Sequence, residues 1–293
     1  MKTYDLIFSL GSSCGTSQAL RAAGLQYASF PLDWVGVPEI GLSAQSVVTD
    51  FTDWFEAKDL DLYTVCHTVG FMTRLYLHRR TRMIFSHEFS DFLPFAKTYP
   101  KVRATYERRI ARFNRDFASA GRILAVWAEL ATHGAPSFDV YRRALADLRA
   151  KRPDGEVDLL CFVEDPEAKE PRTVLEEDGL TVVAADYREM DGTFVAHYQN
   201  WSQFVKTFKT LGLHVPDPRT DDEKRRHEQG DKDVGKLKWG PDKTPFRRWL
   251  NKHAYKTFRT LEGHLQRKGF VQKDISFWCW PEIRREAERG GAK

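Results

Sequence analysis

The sequence predicts an α/β protein: a mostly parallel sheet with helices on both faces, three layers in all, a small β-hairpin insertion, and a basic, mainly helical C-terminal appendage. Three observations predict it. Short apolar runs at 6–10, 123–128, 157–163 and 180–185 have the length and content of strands buried on both faces. Amphipathic stretches of helical period alternate with them, the clearest over 99–120. After His214 the chain turns polar, then basic and aromatic. The expected organisation is a domain over 1–213, a polar linker over 214–235 and a basic, aromatic-rich segment over 236–293.

Leu6, Ile7, Phe8 and Leu10 open the chain as a strand, and Gly11 ends it, because glycine turns there at little steric cost. Ser12 and Ser13 are good N-cap residues. A helix is expected to begin at or near Cys14, bury Leu20 and Leu25, and stop at Gly24. Phe30-Pro31-Leu32-Asp33-Trp34 reads as a turn and Ile40–Val48 as a short helix, with Phe51, Trp54 and Phe55 following at helical spacing. Residues 62–67 and 71–77 alternate with period two around Val69-Gly70, an antiparallel hairpin. Residues 83–89 read as a strand running into a loop, with His87 at or just past the strand end. Between 99 and 120, Tyr106, Ile110, Phe113 and Phe117 form an apolar stripe, arginines fill much of the rest, and Gly121 ends the helix. A second amphipathic helix spans 138–152, and a third follows the last strand, with Trp201, Phe204, Val205 and Phe208 apolar.

Hydrophobic residues at 42% and charged residues at 29% are ordinary for a globular chain long enough to bury a real core. The net charge of +4 hides an asymmetry: residues 236–293 carry 15 Lys/Arg against 6 Asp/Glu, which leaves the remainder acidic. Cys14, Cys66, Cys161 and Cys279 are widely spaced, neither a zinc framework nor a disulfide scaffold. With no signal peptide and no apolar run near the ~20 residues that cross a bilayer, a reducing cytoplasm is the expected compartment. There is no HExxH, P-loop or GxGxxG, so no metal and no cofactor are expected.

Cys14 is where chemistry is expected. Free N–H groups and the positive end of a helix stabilise a thiolate, and the N–H groups from Ser13 to Gly15 can receive an oxyanion. Open α/β sheets place ligands at such strand ends. Gly11, Ser12, Ser13, Gly15 and Trp34 are the candidate oxyanion and substrate-binding residues. His87 and His197 compete as general base, and Asp33 or Asp191 is the candidate to fix the tautomer of the imidazole. Arg109 is the candidate to grip an anionic group on the substrate. Each has a plainer reading: a packed cysteine, a satisfied histidine, a carboxylate and tryptophan that hold a turn, a solvated basic helix face.

Ile7-Phe8-Ser9-Leu10-Gly11-Ser12-Ser13-Cys14, followed by Pro31-Leu32-Asp33-Trp34, resembles the opening of an uncharacterised, mainly bacterial family labelled papain-like cysteine peptidases, with the pattern SLGxxC and then P-[FIL]-D-W. Ser86-His87-Glu88-Phe89 is similar to that family's HDF-like string, and residues 106–113 to its RRIxRF string. The resemblance implies a cysteine nucleophile followed by a histidine, the papain order. The regular β/α alternation differs from the helical half and β half of papain, so the nucleophile is the firmer implication and a peptide substrate the weaker. Asp191 and His197 are also similar to the last block of SGNH-type esterases, though six residues apart rather than three.

Three readings follow. In the first, a thiol hydrolase or acyltransferase acts on an acyl group in a peptide, an ester or a glycan-linked substrate. In the second, a non-covalent glycan-handling protein or sugar transferase of surface polysaccharide assembly binds phosphate at the Gly11–Cys14 turn. In the third, the chain is an interaction module. The basic segment suits an anionic membrane surface or a partner protein, and it has no base-reading motif that would argue for nucleic acid.

Overall fold

The structure, a computed structural model, describes residues 2–68, 71–90, 94–129, 137–187, 201–222 and 224–225. Asp191, His197, Cys279 and the basic segment over 236–293 lie outside the described residues.

The opening run folds as its composition dictates. β1 (Lys2–Thr3) leads into β2 (Leu6–Gly11), buried along its whole length, and then into α1 (Cys14–Ala22). Helix α1 stops at a Schellman motif: Gly24 is left-handed, its N–H donates to the Arg21 carbonyl, and the Leu25 N–H donates to the Leu20 carbonyl. Leu20 and Leu25 are both buried, as expected. A 3-10 turn (Pro31–Trp34) leads to β3 (Val35–Gly36) and α2 (Ile40–Val48). Phe51, Trp54 and Phe55 do not continue as helix; Asp50, Phe51 and Asp53 have positive φ, and the three aromatics pack into the core from a turn.

The expected hairpin is present as β4 (Leu60–Thr68) and β5 (Phe71–His78), and it is part of something larger. β6 (Ile84–Ser90) pairs with β5 and also with β3, giving a four-stranded antiparallel sheet in the order β3-β6-β5-β4. The strand therefore continues past His87 instead of ending at or just before it, because Arg74 and Thr73 of β5 pair with Phe89 and Ser90 beyond it.

α3 (Phe95–Ser119) starts earlier than its apolar stripe suggests, with Pro100 inside its second turn. Tyr106, Phe113 and Phe117 are buried along that stripe. β7 (Arg122–Ala128), α4 (Phe138–Lys151) and β8 (Glu156–Glu164) follow as expected. β9 (Arg172–Glu177) was not expected; it turns at Asp178-Gly179 into β10 (Leu180–Ala185). α5 (Trp201–Thr210) and β11 (Leu213–His214) complete the described elements.

The central sheet has the order β2-β7-β8-β10-β9, parallel except for β9 at its edge. The fold is thus mixed α/β with a mostly parallel central sheet. Helix α1 packs against α5, and α2 against α4. β1 pairs in parallel with β11, and Val215 beyond it is buried, so the chain is still packed where the polar linker was expected to start. No helix among the described residues is long and apolar enough to cross a membrane.

Phe113 on α3 joins the helix to the first half of the fold. Its ring meets Phe8 of β2 at 4.9 Å, Phe30 at 5.8 Å and Phe51 at 5.5 Å, all edge-on. Such pairs add about 1 kcal/mol each to the burial of the ring. Phe113→Ala is expected to lower the unfolding free energy by about 3–5 kcal/mol in a urea titration, with the slope unchanged.

Candidate active site at the Cys14 turn

The turn between β2 and α1 is held from four directions. Gly11 has φ +97°, and a Cβ there would lie 2.9 Å from Val37 Cγ2, so glycine is required both by conformation and by space. Leu10 is the extra residue of a bulge against β7, since Ser9 pairs with Val126 and Gly11 with Trp127. Ser12 is also left-handed, at φ +56°, a conformation that costs an L-residue about 1–2 kcal/mol. Its hydroxyl donates to the Ala128 carbonyl at the end of β7, and its own carbonyl accepts from Val37 N–H at 3.1 Å. The Ser43 hydroxyl of α2 donates to the Leu10 carbonyl at 2.5 Å, and Thr16 Oγ1 of α1 donates to the Gly11 carbonyl at 3.2 Å. A strained residue over-determined in this way is characteristic of functional sites.

Cys14 is the first residue of α1, where the sequence places it. Ser13 caps the helix, its hydroxyl accepting from Gly15 N–H at 3.3 Å, so this candidate oxyanion donor already faces the cap. Cys14 is partly accessible at its surface, while the atoms packed around Sγ desolvate it. Burial pushes the thiol up to about 11; its own N–H and the Gln18 side chain pull the other way and do not win. This runs against the expectation of a resting thiolate at the helix terminus: burial leaves the thiol protonated at neutral pH.

Asp33 is fully buried. Oδ1 accepts from the Ser17 hydroxyl of α1 at 2.9 Å, and Oδ2 accepts from Gln26 Nε2 at 2.8 Å and Phe30 N–H at 2.7 Å. Arg21 lies 3.9 Å away. Burial raises the Asp33 carboxyl, against the donors and Arg21, which lower it. The described contacts of Asp33 tie α1 to the Pro31–Trp34 turn, and no described imidazole is among them. Trp34 is half-buried, with the Arg21 guanidinium 5.1 Å from its ring centre.

The second motif reaches this turn through β3. Val35 and Gly36 pair with Phe85 and Ile84 of β6, and the next residue, Val37, donates to Ser12. His87 lies two residues beyond Phe85 on the same strand. Its neighbour Glu88 accepts from Arg109 Nη1 and from Tyr106 OH, both at 3.1 Å. Arg109 is therefore neutralised by Glu88 instead of standing free for a substrate anion, and it covers the Tyr106 ring at 5.0 Å. Burial disfavours the Arg109 cation and is the largest single influence on it, but Glu88, Tyr106 and Asp33 together outweigh it and the guanidinium is held above its usual range.

A further acidic residue escaped the sequence reading. Glu129 directly follows β7 and is 8% exposed. Its Oε2 accepts from Trp127 Nε1–H at 2.9 Å and from Tyr141 OH at 3.1 Å, and its carbonyl accepts from Tyr187 OH at 2.5 Å. It stands one residue past the carbonyl that holds Ser12, at the same end of the sheet as Cys14. The available signal was the first charge after an unbroken apolar strand, the position where open sheets place their sites. Among the described residues no group of His, Cys, Asp and Glu could hold a metal ion.

The family model described as "Putative papain-like cysteine peptidase (DUF1796)" matches residues 5–162. The chain belongs to this family. The family span contains Cys14, Asp33, His87, Arg109 and Glu129, while Asp191 and His197 fall beyond it. A relative, the uncharacterized protein R408 of Acanthamoeba polyphaga mimivirus, is 27% identical over 139 residues, covering 43% of this chain and 62% of the relative. The match thus spans less than two thirds of that protein's length. No solved structure matches.

Two outcomes are expected. Because the Cys14 thiol sits near 11, its alkylation by iodoacetamide in the free protein should be slow at pH 7 and rise about tenfold per pH unit through pH 9, read by mass spectrometry of the Cys14 peptide. A flat profile from pH 6 upward would show a resting thiolate instead. Gly11→Ala should cost about 1–3 kcal/mol of stability, measured by thermal unfolding, since both its φ and the Val37 contact oppose a side chain.

Proposed function

We propose that the chain is a cysteine-dependent hydrolase or acyltransferase in which Cys14 attacks an acyl carbon. The observation that carries this reading is a cysteine on the first residue of a helix, beyond a strained non-glycine turn, at the carboxyl end of a parallel strand. Membership in a family described as papain-like cysteine peptidases supports it.

The raised thiol sets the character of the mechanism. Cys14 behaves as a serine hydroxyl would, losing its proton during attack and not before it. As Sγ bonds to the acyl carbon, the thiol proton passes to an imidazole nitrogen, and the carbonyl electrons move onto oxygen beside the amides at the start of α1. The tetrahedral species collapses, the leaving group takes the proton from the imidazolium, and a thioester on Cys14 remains. Water, or the hydroxyl or amine of an acceptor, then attacks the thioester and returns the proton to sulfur.

His87 is the preferred base over His197. It lies within the family span and on the strand that β3 joins to the Ser12 turn. Asp33 supports the nucleophile from beneath α1, through Ser17. A peptide, an ester and a glycan-linked acyl group all fit this chemistry, and a reducing cytoplasm suits a free cysteine nucleophile. The raised thiol also favours a second reading, in which Cys14 is structural and the turn belongs to a glycan-handling or interaction module.

Cys14→Ala and Cys14→Ser separate the two. Turnover of activated esters, thioesters and peptides should fall on the order of 10³-fold or more in both, with labelling of the Cys14 peptide by an acyl-transferring probe lost in Cys14→Ala and melting temperature little changed. Turnover equal to wild type in both variants would assign Cys14 to the second reading.

A further inference from the structure

The strand that carries His87 is irregular exactly where His87 stands. β5 and β6 are in register at Arg74–Phe89 and again at Tyr76–Phe85. Between these pairs β5 supplies only Leu75, while β6 supplies Ser86, His87 and Glu88. On the far side of β5 the register also slips, with Tyr63 of β4 inserted between the Leu62–Tyr76 and Thr64–Leu75 pairs. A bulge re-aims its residues away from the regular pleat, and bulges concentrate beside active sites. A bulge with two surplus residues also needs something outside the ladder to fix its course, since the ladder bonds that would do so are missing.

Helix α3 supplies that fixture. Arg109 and Tyr106, one turn apart, both donate to Glu88 Oε1, and the ion pair is nearly enclosed, with the side chains 15% and 9% exposed. The same Arg109 and Tyr106 also lie within electrostatic reach of Asp33, the carboxylate that clasps the first turns of α1. One turn of α3 thus stands between the support of the Cys14 helix and the support of the His87 bulge.

We propose that Arg109 is a positioning residue: through Glu88 it fixes the bulge at Ser86-His87-Glu88, and so the place of His87 relative to Cys14. This rests on the reading of Cys14 and His87 as nucleophile and base. It assigns Arg109 no contact with the substrate, in contrast to the anion-gripping role its sequence position suggests. Removing one partner of an enclosed ion pair takes away a fixed contact at the bulge, so loss of either partner displaces the segment.

The test compares wild type with Arg109→Met, Arg109→Lys and Glu88→Gln. Glu88→Gln keeps the size and one acceptor oxygen of Glu88 while removing its charge, and serves where Arg109→Met fails to fold. With p-nitrophenyl acetate as probe, Arg109→Met and Glu88→Gln are expected to lower kcat at least tenfold with KM changed less than threefold, and to shift the acid limb of the kcat–pH profile. Arg109→Lys should recover most of the loss. A rise in KM at constant kcat would instead make Arg109 a substrate contact and overturn the proposal, as would unchanged kcat and pH limb in a folded variant. A second readout does not need activity: the His87 ring resonances in the NMR spectrum, assigned by His87→Gln. If no activated ester, thioester or peptide is turned over, the reading of function fails. The positioning of His87 is then judged by these resonances alone, upheld if they shift in Arg109→Met and Glu88→Gln and return in Arg109→Lys, and overturned if they stay in place.

Discussion

The hydrogen bond from the Ser12 hydroxyl to the Ala128 carbonyl is the constraint on which the rest of the site depends. It joins the ends of two parallel strands that are more than a hundred residues apart in the chain, and it holds Ser12 in a backbone conformation a serine does not choose. Through the carbonyl of the same residue, Val37 ties in the segment that opens the antiparallel sheet. Release Ser12, and Cys14 loses its orientation, α1 loses its starting angle, and the two sheets lose the backbone bond between them. The short side chain matters too, because a longer one would not fold back onto β7 in so tight a turn.

Around this point the protein buries charge in pairs and clasps. Asp33 is wholly enclosed yet has three hydrogen-bond donors and an arginine near by. Glu88 meets Arg109 and a tyrosine, and Glu129 meets a tryptophan and a tyrosine. Carboxylates so placed add little net stability compared with hydrocarbon of the same shape, but each accepts only a narrow set of geometries. Their value is to define where α1, β6 and the end of β7 lie relative to one another.

Much of the fold was legible in the residues. The buried strands announce themselves as unbroken apolar runs, and α2 and β10 have the bounds their patterns suggest. Gly24 and Ser13 mark helix ends for local steric and hydrogen-bonding reasons that any chain would show. β9 was not legible, because Arg-Thr-Val-Leu-Glu-Glu has only two adjacent apolar residues, Val174 and Leu175, and owes its conformation to β10. The extension of β6 through His87 was hidden for the same reason, since the pairing with β5 lies outside the strand's own sequence. In the site, the location of Cys14 was readable and its protonation was not. Helix position is local, whereas desolvation depends on everything packed around the sulfur. Asp33 and Arg109 were recognised as notable, but their partners, which decide what they do, come from other elements.

The pairing of β1 with β11 has a consequence for how the chain is made. Lys2 N–H bonds to the Gly212 carbonyl and Tyr4 N–H to that of His214, so the first residues described find their partners only when those past 210 have been synthesised. At ribosomal speed that delay is on the order of ten seconds or more, whereas β2 meets its own partner β7 as soon as residues up to 128 have emerged. The central sheet therefore begins to assemble while the first two-residue strand still waits for its late clasp.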